Sequence, residues 1–541
     1  MKLKEFIKKY WAVLSVFIMC AGVIFLFCTR KTGMFIDEIY TYGLSNSRFA
    51  PYLTDIKDGS MTDKIFTRDE VTEYLSVGEN DRFAFSSVYY NQSRDVHPPL
   101  YYWLFNFVSS LFPGCFSKWI GIGINAVLFM LCLFIFYRLV MFLFGNVDTA
   151  AAGTAVMGIC VLSLSMVMMI RMYTLLTLFT LLLMLITAHL IRTPDKRCLY
   201  LLLILTVFSG FMTQYYFAFY AFFLCLAYDI YALAKKHLKS ALWFSVSALL
   251  GIALMIAVFP ASLRQIFIGN GQVVGGSSVL EMIRNTSTYS ERIDEFSKAF
   301  EKLKGMKWVL YGTTVISLLC CAGLRRAIKS KKICADSLLL IIPVIPAFLT
   351  VAIISPVTEL RYVYNLIPAA ALAVCFITDT SVKSVKELSA RKPRISYLAG
   401  KLIVCLAAAA ALWSAKSMPP DNLFTTHSGY DNLCGEHASS PCVYLTNNKF
   451  ASVTQDLLQL VHFDSFFVTD RTNSGKMLDY IFDAEEVILY IDTDKYWSSG
   501  YDANEMLKSF SENTGLNKYE VFYDYRNDGM LGLSSVYLMS K

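Results

Sequence analysis

Residues 98–112 read PPLYYWLFNFVSSLF, and whether they cross the membrane determines the sidedness of every later segment. The run is apolar, but it has 15 residues, whereas a membrane-spanning helix needs roughly 20. Its aromatic side chains and its leading Pro98-Pro99 pair favour an interfacial helix, with the prolines in the first turn. We therefore predict that this segment lies along the membrane surface.

The composition identifies a membrane protein. Of 541 residues, 55% are hydrophobic and 17% are charged, and the mean hydropathy is +0.48. A soluble domain of this size carries more charge, so we predict a polytopic α-helical membrane protein with about eleven transmembrane helices. The predicted spans are about 11–28, 119–140, 149–169, 172–191, 199–215, 217–234, 240–259, 307–324, 337–354, 362–379 and 399–416.

Lysine and arginine predict the orientation, because cytoplasmic loops of membrane proteins are basic. With the N-terminus in the cytoplasm and 98–112 outside the bilayer, every basic loop faces the cytoplasm. These loops carry Arg138; Arg192, Lys196 and Arg197; Lys235, Lys236 and Lys239; Arg325, Arg326, Lys329, Lys331 and Lys332; and Lys383, Lys386, Arg391, Lys392 and Arg394. This topology explains the net charge of +7 better than nucleic-acid binding does.

Three long segments then face outward: the first external loop 29–118, the loop 260–306 and the tail 417–541. The tail alternates strand-like and helix-like runs, which predicts an extracytoplasmic α/β domain after a transmembrane catalytic domain of residues 1–416. The tail also contains Cys434 and Cys442, which either form a disulfide or remain free thiols.

The first external loop carries two acidic motifs. Asp37 and Glu38 follow Met34-Phe35-Ile36 just outside the first span, where a low dielectric favours a raised carboxyl pKa and a role as general base. Asp95 and His97 lie in Asp95-Val96-His97-Pro98-Pro99, whose prolines restrict the backbone. A solvated loop start would explain the first pair equally simply, and a structural histidine would explain the second motif.

Two arginines lie at the outer face, against the usual charge bias, and each has a nearby tyrosine. They are Arg171 with Tyr173, and Arg361 with Tyr362. Planar guanidinium groups suit phosphate oxygens, so we expect anion binding, although an arginine at a helix end also snorkels to the interface. Gln214, Tyr215 and Tyr216 form a further polar break, which an aromatic belt explains almost as well.

Taken together, these motifs resemble the GT-C membrane glycosyltransferases, in particular the bacterial relatives of the dolichyl-phosphate-mannose protein mannosyltransferases, which include the aminoarabinose and Rgt-type transferases. The resemblance covers about residues 1–380. It is carried by the Asp-Glu pair after the first span, Asp-Val-His-Pro-Pro-Leu at 95–100, Arg-Met-Tyr-Thr-Leu at 171–175, and Arg361-Tyr362 followed by Pro368. The residues before Arg171 depart from the family, because Met168-Met169-Ile170 replace acidic or polar side chains.

The resemblance implies an inverting hexosyltransferase of the cell envelope. Its donor would be a polyprenyl-phosphate sugar and its acceptor a protein, a lipid or a glycan at the outer face of the cell membrane. Asp37 would be the base, with Glu38 beside it. Asp95 and His97 would shape the site, and Arg171 and Arg361 would hold the donor phosphate.

Other interpretations stay open at this stage. One is a transporter or polymer-export protein without enzymatic activity, although transporters place ionisable residues mid-span, whereas the charges here concentrate at the outer face. Another is a transferase or ligase of whole lipid-linked oligosaccharides. The sequence predicts no cofactor and no metal-ligand set, although carboxylate and imidazole groups suited to a divalent metal are present.

Overall fold

The structure is a computed structural model. It describes residues 3–57, 60–268, 289–302, 304–329, 334–355, 359–388, 393–425, 428–447, 450–493, 500–524 and 534–541. Long apolar helices form one body and a mixed sheet forms a second. The helices up to residue 267 are α1 Leu3–Arg30, α2 Ile36–Asn46, α3 Arg68–Leu75, α4 Phe85–Arg94, α5 Leu100–Ser109, α6 Lys118–Phe144, α7 Val147–Ile159, α8 Val161–Met168, α9 Tyr173–Arg192, α10 Arg197–Thr213, α11 Phe217–Ala234, α12 Leu238–Val258 and α13 Ala261–Phe267.

The remaining helices complete the bundle and enter the tail. They are α14 Tyr289–Ser297, α15 Ala299–Lys302, α16 Lys304–Leu319, α17 Cys321–Lys329, α18 Asp336–Ile341, α19 Val344–Ile354, α20 Ile367–Leu388, α21 Pro393–Ser417, α22 Ser428–Glu436, α23 Phe450–Gln455, α24 Leu457–Leu460, α25 Gly475–Tyr480 and α26 Ala503–Thr514. Short 3₁₀ segments run over Leu53–Lys57, Glu79–Asp81 and Leu360–Leu366.

The prediction of a polytopic helical membrane protein is confirmed. Within the described residues, eight helical segments are long and apolar enough to cross a bilayer, and two further pairs are bent, α7 with α8 by 52° and α16 with α17 by 87°. Helix α10 is apolar but shorter, at 17 residues. Each of the predicted spans thus coincides with an apolar helix or a bent pair, and eight to ten of them meet the criteria for a full span.

Contacts between loops agree with the predicted alternation of the segments. At one end of the bundle Lys31 Nζ donates to the Asn422 carbonyl at 2.6 Å, and Arg264 Nη2 donates to the Ser93 carbonyl at 2.5 Å. At the other end, Arg192 Nη2 donates to the Leu143 carbonyl at 3.3 Å. The long segments therefore gather at one end and the basic loops at the other, while the assignment of the first end to the cell exterior stays a prediction.

Helix α5 agrees with the prediction of a segment that does not cross the bilayer. Its 10 residues rise about 15 Å, half the thickness of the hydrocarbon core. Tyr101 and Phe105 are fully buried, and Asn106 Nδ2 donates to the Ser45 carbonyl of α2 at 2.9 Å. The proline pair precedes the helix instead of occupying its first turn, because α5 begins at Leu100.

The tail folds around a six-stranded sheet with the order β1-β3-β2-β4-β6-β5. Strands β2, β3 and β4 are parallel, and β5 and β6 form an antiparallel extension. Helix α26 covers one face: the Asp502 side chain caps its start, Leu507 and Phe510 are buried, and Gly515 ends it at a φ of +77°. The strands are β1 Lys64–Thr67, β2 Cys442–Leu445, β3 Ser465–Thr469, β4 Glu486–Asp492, β5 Lys518–Asp524 and β6 Ser534–Ser540. Cys434 and Cys442 are both buried free thiols.

One strand of this sheet comes from the first external loop, nearly 400 residues away. Strand β1 pairs antiparallel with β3, and Phe66 stacks on Phe466 with ring centroids 5.6 Å apart. Arg471 Nη2 adds an ion pair with Asp63 at 2.6 Å. The sequence analysis did not predict this strand, and the α/β domain is therefore not built from the tail alone.

We expect Phe66→Ala to reduce the free energy of unfolding of the α/β domain by about 3–5 kcal/mol, because a fully buried ring in a stacked pair is lost. Ile65→Ala is the matched control, since Ile65 lies on the opposite face of the same strand and is 43% exposed. The control should change stability by less than about 0.5 kcal/mol. Thermal and denaturant unfolding in detergent measure both, and equal losses would contradict the docking of β1.

Candidate active site

Helix α2 presents Asp37 at the end of the bundle where the long segments gather. The helix starts after Phe35, and Asp37 is its second residue, where the helix dipole favours a carboxylate. Arg361 lies near the start of the 3₁₀ segment Leu360–Leu366, and its Nη1 is 2.9 Å from Asp37 Oδ2. The two side chains are 23% and 12% exposed, so this ion pair is largely buried but open to the site.

Arg171 supports the same helix from the opposite side. It lies in the turn between α8 and α9 and is 3% exposed. Its Nη1 donates to the Asp37 backbone carbonyl at 3.1 Å, and its Nη2 lies 3.3 Å from His97 Nε2. Asp37, Arg171 and Arg361 were predicted to lie at one surface of the membrane. In the structure their side chains lie in one cluster.

His97 and Asp95 form a second pair within this cluster. His97 Nδ1 lies 2.9 Å from Asp95 Oδ2. Burial and the adjacent Arg171 charge lower the pKa of His97, so the ring is neutral at pH 7. Its Nδ1–H then donates to Asp95, and Nε2 accepts from Arg171. The Asp95 carboxylate therefore orients the His97 ring.

The electrostatics of Asp37 differ from the expectation of a raised pKa. Burial alone would raise the pKa of Asp37, but the charges of Arg361 and Arg171 outweigh burial and hold it below its ordinary value. Asp37 is therefore a stable carboxylate at neutral pH. The expected effect of burial on the Asp37 pKa is present, but the sequence does not show that two arginines lie beside this carboxyl and lower its pKa.

Glu38 has a different environment from that of its neighbour Asp37. It is fully buried and pairs with Lys31 Nζ at 3.0 Å. Its two oxygens also accept the backbone N–H groups of Phe35 and Ile170, both at 2.7 Å. Burial raises the pKa of Glu38. These contacts cap α2 and attach it to the turn that carries Arg171. We therefore expect a supporting role for Glu38.

The predicted tyrosines surround the cluster to different extents. Tyr362 stacks on Tyr216, with ring centroids 4.6 Å apart and planes at 11°. Tyr173 is buried and meets Tyr362 edge-on at 6.5 Å. Tyr362 is partly exposed, so this stack forms an aromatic wall beside Arg361. Tyr216 was noted in the sequence only as part of a polar break.

Gln214 and Tyr215 reach the Asp37 cluster only indirectly. The Gln214 side chain accepts the Tyr215 backbone N–H at 2.6 Å. Tyr215 Oη donates to Gln265 at 2.5 Å, and Gln265 Nε2 in turn donates to the Asp95 carbonyl at 2.8 Å. Tyr215 is thus connected to Asp95 through a glutamine that the sequence analysis missed. Lys31 was not predicted either, although a lysine at the predicted outer end of the first span opposes the charge bias just as Arg171 does.

The cluster pairs the Asp37 carboxylate with the guanidinium group of Arg361, and a second guanidinium group, that of Arg171, binds the Asp37 backbone carbonyl. Among the described residues, no three His, Cys, Asp or Glu side chains come together in a way that could hold a metal ion. A cavity of about 370 Å³ lies at the opposite end of the bundle, between the α6–α7 turn and Lys383 and Lys386, and its lining includes none of the predicted site residues. The Asp37–Arg361 pair combines a carboxylate suited to acid–base chemistry with a cation suited to an anion.

Comparison with solved structures places this fold. ArnT from Cupriavidus metallidurans bound to undecaprenyl phosphate superposes with a TM-score of 0.51 over 98% of both chains, at 10% sequence identity. The archaeal oligosaccharyltransferase AglB from Archaeoglobus fulgidus, in complex with an inhibitory peptide and a dolichol-phosphate, gives a TM-score of 0.42 at 10% identity over 94% of this chain and 72% of that chain. No family model and no curated protein matches the sequence.

The similarity to ArnT shows that this chain shares the fold of that solved structure. It extends over both the helical bundle and the α/β domain, because nearly the whole of each chain is covered. The fold expected from the sequence motifs is thus confirmed. Identity of 10% is too low to transfer substrates or residue roles, so function has to be argued from the site.

We expect Glu38→Gln to reduce the free energy of unfolding by about 3–5 kcal/mol, because it leaves the buried charge of Lys31 unpaired. Glu70→Gln is a matched control: Glu70 also occupies the third position of a helix and accepts the N–H of its capping residue Thr67, at 2.9 Å, but at the surface. The control should cost about 1 kcal/mol or less. Equal unfolding midpoints for the two variants would refute the supporting role of Glu38.

Proposed function

We propose that the protein is a membrane glycosyltransferase that transfers a sugar from a polyprenyl-phosphate-linked donor to an acceptor hydroxyl at the outer face of the membrane. The Asp37–Arg361 ion pair carries this proposal, because it places a general base beside a cation suited to phosphate at one end of an apolar bundle. The fold of ArnT, whose solved structure holds undecaprenyl phosphate, supports the same class of donor.

In the proposed reaction, Asp37 accepts the proton of the acceptor hydroxyl as its oxygen attacks the anomeric carbon of the donor. The new glycosidic bond forms while the bond between that carbon and the phosphate oxygen breaks, which inverts the anomeric configuration. The leaving lipid phosphate carries the departing electron pair as negative charge. A cation at that position stabilises the developing charge, and no general acid is required.

Arg361 is better placed than Arg171 to bind the phosphate. Arg171 is almost fully buried and already donates to the Asp37 carbonyl, whereas Arg361 is partly exposed and makes its ion pair through one terminal nitrogen. Its guanidinium therefore retains donors for a phosphate oxygen. A phosphate bound there neutralises part of the charge that holds the Asp37 pKa down, so donor binding makes Asp37 a stronger base.

The aromatic wall and the histidine complete the proposed site. The exposed edge of the Tyr216–Tyr362 stack lies next to Arg361 and offers an apolar surface to the first units of the lipid or to the sugar ring. His97, kept neutral and oriented by Asp95, borders the cluster from the first external loop. The donor is proposed to be a hexose and the acceptor a protein, lipid or envelope glycan. Mass spectrometry of lipid-linked sugars and envelope glycans, with and without the protein, identifies both.

Replacement of Asp37 by Asn should reduce the rate of sugar transfer by about 10²–10⁴-fold, the usual contribution of one general base. The unfolding midpoint is measured alongside, because the substitution also leaves the largely buried charge of Arg361 without its partner. Turnover is measured with purified protein and a polyprenyl-phosphate sugar. Asp69→Asn, in the exposed first turn of α3, is the control and should keep wild-type turnover. Near-normal turnover of the Asp37 variant would transfer the role of base to another group.

For Arg361→Ala we expect the apparent requirement for the donor to rise at least about tenfold, equivalent to roughly 1.4 kcal/mol of binding. Because Asp37 works as a carboxylate and loses the cation that lowers its pKa, the acid limb of the pH–rate profile should move to higher pH. Glu359→Gln is the control, since Arg361 pairs with Asp37 and Glu359 is only a nearby charge. An unchanged donor titration would leave Arg361 without a phosphate role.

A further inference from the structure

The α/β domain contacts the polypeptide that carries Asp37 at several points, and its role is not explained by the reaction proposed above. Residues 31–35 connect α1 to α2 and run along the tail. The Thr32 backbone N–H donates to the Leu423 carbonyl at 2.9 Å, and the Thr32 hydroxyl donates to the Phe424 carbonyl. Lys31, the partner of Glu38, donates to the Asn422 carbonyl at 2.6 Å. The tail therefore holds one side of this connection.

Helix α23 of the α/β domain holds the other side. Gln455 is 2% exposed, and its Nε2 donates to the Met34 carbonyl at 2.9 Å. Met34 itself is buried and immediately precedes the N-terminal cap of α2. Within the described residues the side-chain oxygen of Gln455, Oε1, has no hydrogen-bond partner, so the bond from Nε2 to Met34 is the polar contact that fixes this side chain.

A second contact lies on α2 itself, about one helical turn after Asp37. The side chains of Thr454 and Tyr40 are hydrogen-bonded, and Tyr40 follows Asp37 by three residues, so the two lie on the same face of the helix. Thr454 is 1% exposed. Two consecutive residues of α23 therefore hold α2 on both sides of Asp37.

Helix α23 is itself a rigid support. The carboxylate of Asp456, the next residue, accepts hydrogen bonds from Tyr444 Oη of strand β2 at 2.8 Å and from Ser534 Oγ of strand β6 at 2.7 Å. The α/β sheet thus fixes the end of α23, and α23 in turn fixes α2. Geometric precision matters at such a position, because a misplacement of about 1 Å in a catalytic group can cost about 10²-fold in rate.

We propose that the α/β domain is a positioning element of the catalytic unit, in which Gln455 and Thr454 set the position of Asp37 relative to Arg361. This inference rests on the proposed function for its catalytic meaning. Its structural content does not, because the position of Asp37 can be measured without any substrate.

The test compares Gln455→Leu with Gln459→Leu in the full-length protein. The two glutamines lie four residues apart and are equally buried, but Gln459 Nε2 donates to Asp431 inside the α/β domain at 3.2 Å. Labelling of Asp37 by a water-soluble carbodiimide, quantified by peptide mass spectrometry across pH, reports when its carboxyl becomes protonated. In Gln455→Leu the midpoint should move to higher pH, because Asp37 moves away from Arg361, and Gln459→Leu should keep the wild-type midpoint.

Transfer kinetics add the catalytic readout. Gln455→Leu should reduce kcat at least about tenfold while the donor KM stays near the wild-type value, since Arg361 is on another element. If Gln455→Leu fails to fold, the near-isosteric variants Thr454→Val and Tyr40→Phe replace it. Because both remove the same hydrogen bond, kcat of the double variant should be no lower than that of either single variant.

Identical Asp37 labelling profiles in the wild type, Gln455→Leu and Thr454→Val would overturn the inference even if the protein transfers sugar. A shifted labelling profile in a protein that transfers no sugar would instead refute the proposed function and leave the positioning role intact. A parallel fall of kcat in Gln459→Leu, with unchanged Asp37 labelling, would assign the loss to general instability of the domain and overturn the inference as well.

Discussion

The buried carboxylate of Glu38 joins three separate parts of the chain, and the geometry of the site depends on it. It caps α2 through the Phe35 N–H, holds the Ile170 N–H of the turn before α9, and pairs with Lys31 at the end of α1. A charge-assisted acceptor with several donors is strong in a low dielectric, but an incomplete set would be costly there. The contacts of Glu38 thus fix the position of Asp37 relative to Arg171.

The charges around Asp37 nearly balance before any substrate is present. Asp37 and Asp95 oppose Arg171 and Arg361, and the neutral ring of His97 lies between the two pairs. A buried ion pair is not by itself evidence of stability, because the cost of desolvation offsets most of the attraction. The Asp37–Arg361 pair is partly exposed, and a second anion could therefore also bind Arg361. In the proposed reaction that anion is the phosphate of the lipid donor.

Hydropathy predicted the bundle because the bilayer imposes one length and one polarity on every span, and each predicted segment coincides with an apolar helix or a bent pair. The charge bias singled out Arg171 and Arg361 as candidate anion-binding residues, because the predicted topology places these cations at the face where lysine and arginine are rare. Strand β1 escaped prediction because its four residues become a strand only through a partner about 400 residues away. The Asp37–Arg361 pair could not be predicted either, because the sequence contains no information on which of several surface charges meet.

The different roles of Asp37 and Glu38 follow from helical geometry. Consecutive residues of an α-helix point about 100° apart, so two adjacent carboxylates at the start of α2 cannot face the same environment. One is directed into the protein core, where Lys31 and two backbone N–H groups satisfy it, and the other faces the open cluster with Arg361. The sequence motif alone suggests two equivalent acids. The structure distinguishes them: the buried Glu38 anchors the first turn of the helix, and the partly exposed Asp37 is the one that the proposed reaction uses as a base.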